Sequence, residues 1–406
     1  MARELAFPMA EYRQRLARVQ QEMRSRGLDV LLVYWPENLF YLTGYHTVGY
    51  FGYQVLFVPA SGDPLFLVRR LERQNVLDLT WLDTAEVYQD TEDPLDATVR
   101  VLRERGWAAQ SIGVELDAWF LTTRHFMGLQ RRLGTFEPTD ASQLVNRIRL
   151  IKSDGELRYM RAAARAAEAS TAAAVKAIRP GVREYEVAAA MHQALFQAGS
   201  TYLGHPPLLG SGPRSGRAFV TWSNRVIRNN EPVHLEPGGC INRYHALLIR
   251  TVHVGQPRDR KLLKLVDLSL EGLNDAIGML RAGVTSAAVD DALKGPVRRA
   301  GMGETAFSRG GYSVGIGFPP DWGEGRTQSI KQGDPTVLQA NMTFHLLSNL
   351  WYEGKTLVAF SETVRVTGTG CEVLTRFPRQ LIIRGTPARA ARARATAPAA
   401  PATRRR

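Results

Sequence analysis

Five residues recur at one fixed interval. Ile178, Gly181, Val182, Val187 and Gly199 return 102 positions later as Leu280, Gly283, Val284, Val289 and Gly301. Both copies read apolar-x-x-Gly-Val-x4-Val, then a helical stretch, then Gly. Two such matches arise easily by chance, but five in register point to a duplicated α/β unit. The strand-rich stretches Val233–Gly255 and Met342–Val366 each follow one copy. A chain repeated in this way is expected to fold as a pseudo-twofold pair of helix-and-strand halves whose sheets face a shared cleft, and such clefts are natural ligand sites.

The 406 residues exceed what one core usually serves, so a second domain is expected in front of the repeat. There the pattern alternates. Ala10 to Arg26 reads as a helix ending at Gly27, and Val30 to Tyr34 as a buried strand. Gln54–Pro59 and Pro64–Arg69 read as a hairpin around Ser61-Gly62-Asp63, Leu95–Arg105 as a helix and Ile112–Leu116 as a strand. Ser153 and Glu156 spell a capping box, so a long Ala-rich helix starts at the boundary near residue 149. The expected division is an α/β domain over 1–148, an α+β domain over 149–385 and a tail over 386–406. The tail is rich in Ala, Pro and Arg, lacks apolar periodicity and is expected to be disordered.

Composition removes several classes. The two cysteines, Cys240 and Cys371, form no C-x-x-C pair, which fits a reducing compartment and argues against a disulfide framework or zinc knuckle. Met1–Glu11 has no apolar run, so no secretory leader is expected. No segment approaches the roughly 18 apolar residues a membrane span needs. A cytoplasmic location away from membranes is therefore the expectation. The net charge of +13 resembles a nucleic-acid signature, but Arg384, Arg389, Arg392, Arg394, Arg404, Arg405 and Arg406 supply seven of those charges, leaving +6 elsewhere. Nucleic acid is not an expected partner; loose binding of a polyanion by the tail is the alternative.

Four segments carry chemistry: His234-Leu235-Glu236 with Arg243-Tyr244-His245 and Arg250-Thr251; Gly311-Tyr312-Ser313-Val314-Gly315; Met342-Thr343-Phe344-His345; and Ser361-Glu362-Thr363. Together with the repeat they resemble the creatinase/aminopeptidase P/prolidase family over roughly residues 10–385. The resemblance implies an α+β class, with a C-terminal pita-bread domain behind a smaller creatinase-type α/β domain, in a homodimer. Metal-binding members of that family use Asp, Asp, His, Glu and Glu. Those positions fall on Glu236, Leu247, Tyr312, Leu347 and Glu362. Apolar side chains offer no lone pair to a cation, so three of five ligands are missing and no metal or other cofactor is expected.

A longer string resembles the metal-free members of the family, ectoine hydrolase and creatinase. It comprises Thr221-Trp222-Ser223, Glu236-x-x-Gly239-Cys240, Arg243-Tyr244-His245-Ala246, Pro319-Pro320-Asp321-Trp322-Gly323-Glu324, Asn341-Met342-Thr343-Phe344-His345 and Leu350-Trp351. The implied activity is opening of a C–N bond in a small amidine-like or cyclic zwitterion. A carboxylate attacks, or activates water, while a second carboxylate holds the amidinium. Glu236 is expected as nucleophile or base and Glu362 as anchor or proton donor, both looking into one pocket. Tyr312 stands ready as a donor and His245 and His345 as acid/base groups. Trp222, Trp322, Trp351, Phe219 and Tyr244 are the expected pocket walls, with core aromatics as the alternative for the tryptophans. Creatinase-like members carry a catalytic His where this chain has Phe219, so either His205, His245 or His345 takes over or the chemistry differs from ectoine opening. Arg250 is expected to make a structural ion pair. Tyr45, His46, Tyr50 and Tyr53 form an aromatic loop that could serve as a lid. The competing readings are a biosynthetic tailoring enzyme, a metal-dependent Xaa-Pro peptidase and an inactive binding protein of the same fold.

Overall fold

In the computed structural model, residues 3–134 and 136–385 are described. The tail over 386–406, expected to be disordered, lies outside them. The chain opens with α1 (Met9–Ser25), β1 (Val30–Val33), α2 (Pro36–Thr43), β2 (Val55–Pro59), β3 (Leu65–Arg69), α3 (Arg73–Leu79) and β4 (Glu86–Tyr88). It continues with α4 (Pro94–Glu104), β5 (Ile112–Val114), α5 (Thr123–Leu133), β6 (Thr139–Asp140) and α6 (Leu144–Arg149). The strands form one mixed sheet in the order β4-β3-β2-β1-β5-β6. Alternate side chains of a strand leave on opposite faces, so this sheet feeds two cores. Leu31, Val33, Leu56 and Val58 enter one, and Val30, Leu32, Val55 and Phe57 the other. Tyr45, Tyr50 and Tyr53 are buried in these cores, which removes them as a free lid.

The second domain begins at α7 (Asp154–Ala177), where Ser153 and Glu156 form the capping box. It continues through α8 (Glu184–Gln197), β7 (Leu208–Ser211), β8 (Glu231–Glu236), β9 (Gly238–Ile241), β10 (Tyr244–Leu247) and β11 (Arg250–Val254). Then come α9 (Arg260–Met279), α10 (Ser286–Arg299), β12 (Gly311–Ser313), β13 (Ser329–Ile330), β14 (Thr343–Tyr352), β15 (Thr356–Val366), β16 (Cys371–Val373) and β17 (Ile382–Arg384). The sheets run β17-β11-β8-β7 and β13-β12-β14-β15-β16, with β9 and β10 paired separately.

The 102-residue repeat is a structural repeat. Gly181 and Gly283 have φ of 92° and 88°, a region that favours glycine. Their N–H groups donate to the carbonyls of Ile227 and Leu338, each at 2.9 Å. The carbonyls of Val182 and Val284 accept from those same two residues, each at 2.8 Å. Gly199 and Gly301 each lie just past the end of α8 and α10 in the left-handed conformation.

Charged groups buried at the domain junction fix the loop after β12. Arg149 and Lys152 each reach Glu324 at 2.8 Å. Burial pushes the Glu324 carboxyl up, but the two cations outweigh it and hold it below the usual range. Glu37 of α2 accepts from the N–H of Phe318 at 3.1 Å. The Pro319–Glu324 loop is thereby held from both domains.

Candidate active site

Between the two halves lies a cavity of about 540 Å³, lined by residues from both sheets, from the 318–324 loop and from Trp119 of the first domain. Glu236, the last residue of β8, faces it with a side chain 12% exposed, and His234 approaches its carboxylate at 3.5 Å. Period-two alternation carries both residues to the same face. Tyr312, Trp322, Trp351 and Phe219 line the same space. Phe219 is 78% exposed and holds a left-handed φ of 54°. Of the expected walls, Trp222 lies elsewhere, edge-on to His192 at 5.2 Å against the core of the first half. Tyr244 is fully buried, donates to Glu156 at 2.8 Å and stacks on Tyr159, so it is a core residue rather than a pocket wall.

The pairing of Glu236 with Glu362 requires correction. On β14 and β15 the residues His345, Leu347, Asn349, Trp351, Leu357, Ser361 and Thr363 share one face, and four of them line the cavity. Phe344, Leu346, Leu350, Val358, Phe360 and Val364 leave on the other face and fill the core under α9. Glu362 belongs to this second set. It is buried, bonds Arg250 at 2.6 Å and also meets Thr375. Desolvation raises its pKa despite the guanidinium. Leu347 pairs directly with Ser361, so Ser361 shares the cavity-side face of the sheet, buried behind the lining, and the glutamate one residue beyond it faces the core.

His245 is likewise structural. A carbonyl only accepts, so Nδ1–H donates to Arg243 O at 3.0 Å while Nε2 accepts from the Gly204 N–H at 3.0 Å. Both ring nitrogens are satisfied, and burial drives its pKa down to about 3. His345 is also buried, but it connects to the cavity through Tyr312. Its Nδ1 lies 3.0 Å from the phenol oxygen and its Nε2 2.6 Å from Ser361 Oγ. Trp322 Nε1–H donates to the same phenol at 3.0 Å.

Several lining residues had no assigned role in the sequence reading. Asp321 lies inside the quoted Pro-Pro-Asp-Trp string, and its carboxylate adds to that of Glu236 in raising the Tyr312 pKa, where burial is the leading cause. Arg309 stacks over the Tyr312 ring at 4.5 Å, and Arg217 sits at the rim. Neither arginine forms an ion pair among the described residues. His205, one of the replacements considered for Phe219, lies 6.1 Å from that ring and 4.8 Å from Trp322. Its Nδ1–H donates to Pro206 O at 2.7 Å, which leaves Nε2 open.

The donor set does not fit a dinuclear metal site. Leu247 and Leu347 are apolar, Ser361 is bonded to His345 and the Ile249 N–H, and Tyr312 keeps its proton because burial raises its pKa well above the usual range. Among the described residues no cluster of three or more His, Cys, Asp or Glu side chains could hold a metal ion.

The fold and site define a hydrolase architecture with a creatinase-type front domain and a pita-bread back domain. Residues 15–151 match the creatinase/prolidase N-terminal domain, and residues 158–368 match metallopeptidase family M24. The chain belongs to that family. It is 32% identical over 402 residues to ectoine hydrolase of Halomonas elongata, covering 94% of this chain and 99% of the relative. It is 36% identical over 390 residues to an uncharacterized hydrolase/peptidase of Sinorhizobium fredii, covering 93% and 97%. The solved prolidase of Thermococcus sibiricus superposes with a TM-score of 0.83 at 21% identity, covering 92% of this chain and 99% of that one, a likeness of fold alone.

Proposed function

We propose that this protein is a metal-independent C–N hydrolase for a small amidine-like or cyclic zwitterionic substrate. One observation carries the reading: of the two glutamates at the five inherited ligand positions only Glu236 faces the cavity, which is walled by indole and phenol rings, while Glu362 is turned into the core and paired with Arg250. The rest of the lining supports it. Trp322 and Trp351 offer faces for a planar cation, Glu236 and Asp321 offer negative charge to an amidinium, and Arg217 and Arg309 offer positive charge to a carboxylate. The likeness to an ectoine hydrolase supports the same substrate class.

In the proposed reaction Glu236 attacks the amidinium carbon, or removes a proton from the water that does. By either route one water is consumed: its oxygen ends on that carbon, one C–N bond breaks, and the water's proton, taken up by Glu236 or by the open Nε2 of His205, passes to the freed nitrogen. The products are an amide and an amine whose combined mass exceeds the substrate by one water. Tyr312 keeps its proton and donates a hydrogen bond to the developing charge. Incubation with ectoine, hydroxyectoine and creatine, followed by mass spectrometry, tests this. The expected result is gain of one water by at least one of them. Inertness toward all three, together with cleavage of an Xaa-Pro dipeptide once manganese is supplied, would overturn it.

A further inference from the structure

Tyr312, at one of the inherited ligand positions, ends a buried hydrogen-bond chain whose protons can be counted. The Ile249 N–H donates to Ser361 Oγ at 2.6 Å. Ser361 Oγ then meets His345 Nε2, His345 Nδ1 meets the Tyr312 oxygen, and Trp322 Nε1 meets that same oxygen. A backbone N–H and an indole N–H only donate, so Ser361 Oγ and the Tyr312 oxygen each already accept one bond. The serine proton has one acceptor within reach, Nε2. A neutral imidazole with Nε2 accepting carries its proton on Nδ1, and that proton goes to the phenol oxygen. Tyr312 therefore accepts twice, and its own proton has no partner within the chain. The opposite assignment, with Nε2–H donating to Ser361, strands a buried serine proton without an acceptor.

We propose that Ser361 and His345 are positioning residues that hold Tyr312 as an obligate hydrogen-bond donor into the cavity, beside Glu236. A tyrosine at one former ligand position and a serine cross-strand from another, Leu347, with His345 between them, thus become a relay that orients one O–H. Burial, its largest influence, drives the His345 pKa down to about 4, which keeps the ring neutral and able to accept at Nε2 near neutral pH. Buried networks of this kind are rigid only when every member is satisfied, so removing one end should reset the other.

The inference rests on the hydrolase reading for its catalytic consequence, but the tautomer can be observed without any substrate. Heteronuclear NMR of histidine-labelled protein, with the resonance identified by its loss in His345→Gln, should show His345 neutral and protonated on Nδ1 at neutral pH. Ser361→Ala should shift it toward the Nε2–H form, and Ser361→Thr should restore the native form. With ectoine as the probe, Ser361→Ala should lower kcat by about tenfold to a hundredfold and leave KM within about twofold; Ser361→Thr should recover most of the rate. A native Nε2–H signal overturns the assignment whatever the activity. An unchanged kcat in Ser361→Ala overturns it as well. A native Nδ1–H signal in a protein inert toward ectoine, hydroxyectoine and creatine supports the relay and counts against the hydrolase reading alone.

Discussion

Glu236 and Glu362 carry the same carboxylate into two different environments. Glu236 closes β8 at the wall of the cavity, 12% exposed, with a histidine at 3.5 Å and indole rings around it. Glu362 stands in the middle of β15, enclosed by the core and bonded to Arg250 at 2.6 Å. Desolvation dominates at both ends of that pair: the Glu362 pKa is raised and the Arg250 pKa is lowered. Such a buried pair contributes little net stability while intact, yet losing one partner leaves a buried charge unmatched. One glutamate thus faces the cavity of the proposed reaction and the other holds β11 against β15. A one-residue step along a strand separates the two roles, because it exchanges the cavity face for the core face.

Substitutions can break this contrast. Glu236→Gln is expected to lower kcat at least about a thousandfold, measured on whichever zwitterion is turned over, with little change in stability. Glu362→Gln is expected to do the reverse, costing on the order of 3 kcal/mol in urea unfolding while the remaining folded enzyme keeps its kcat. A Glu362→Gln protein of native stability and no activity would reassign that residue to the site. Tyr312→Phe should reduce kcat roughly a hundredfold, since it removes one donor at the developing charge.

A smaller effect separates the relay from its surroundings. His345 has a folded pKa of about 4, below its unfolded value, so its contribution to stability is present above the unfolded pKa and is lost as pH falls toward 4. Comparing native protein with His345→Gln cancels the other titrating groups. The stability advantage of the native histidine should shrink by roughly 2 kcal/mol between about pH 7.5 and about pH 4.5. A pH-independent difference would show that the ring is not held neutral by burial.

Much of the architecture could be read from the chain because it is written in periodic signals. The repeat named the two glycine turns that recur with the same bonds, and the capping box at Ser153 placed the start of α7. Arg250 makes the structural ion pair expected of it, though with the residue that had been assigned to catalysis. The facing of Glu362 is not legible in the sequence, because Phe360-Ser361-Glu362-Thr363-Val364 alternates equally well in either register and only the pairing with β14 decides which face turns to the cavity. His205, Arg309 and Asp321 sit on loops outside any repeating pattern, and long-range packing alone brings them to one cavity. The Pro-Pro-Asp-Trp string was the one signal that could have revealed Asp321.

The most direct test of metal-free chemistry at Glu236 is turnover by chelator-treated protein. Enzyme dialysed against EDTA, with its metal content verified, is assayed on ectoine, hydroxyectoine and creatine with and without added manganese. Ring or chain opening at a kcat within about twofold under both conditions is the expected result. Activity that vanishes on chelation and returns with manganese would contradict the account.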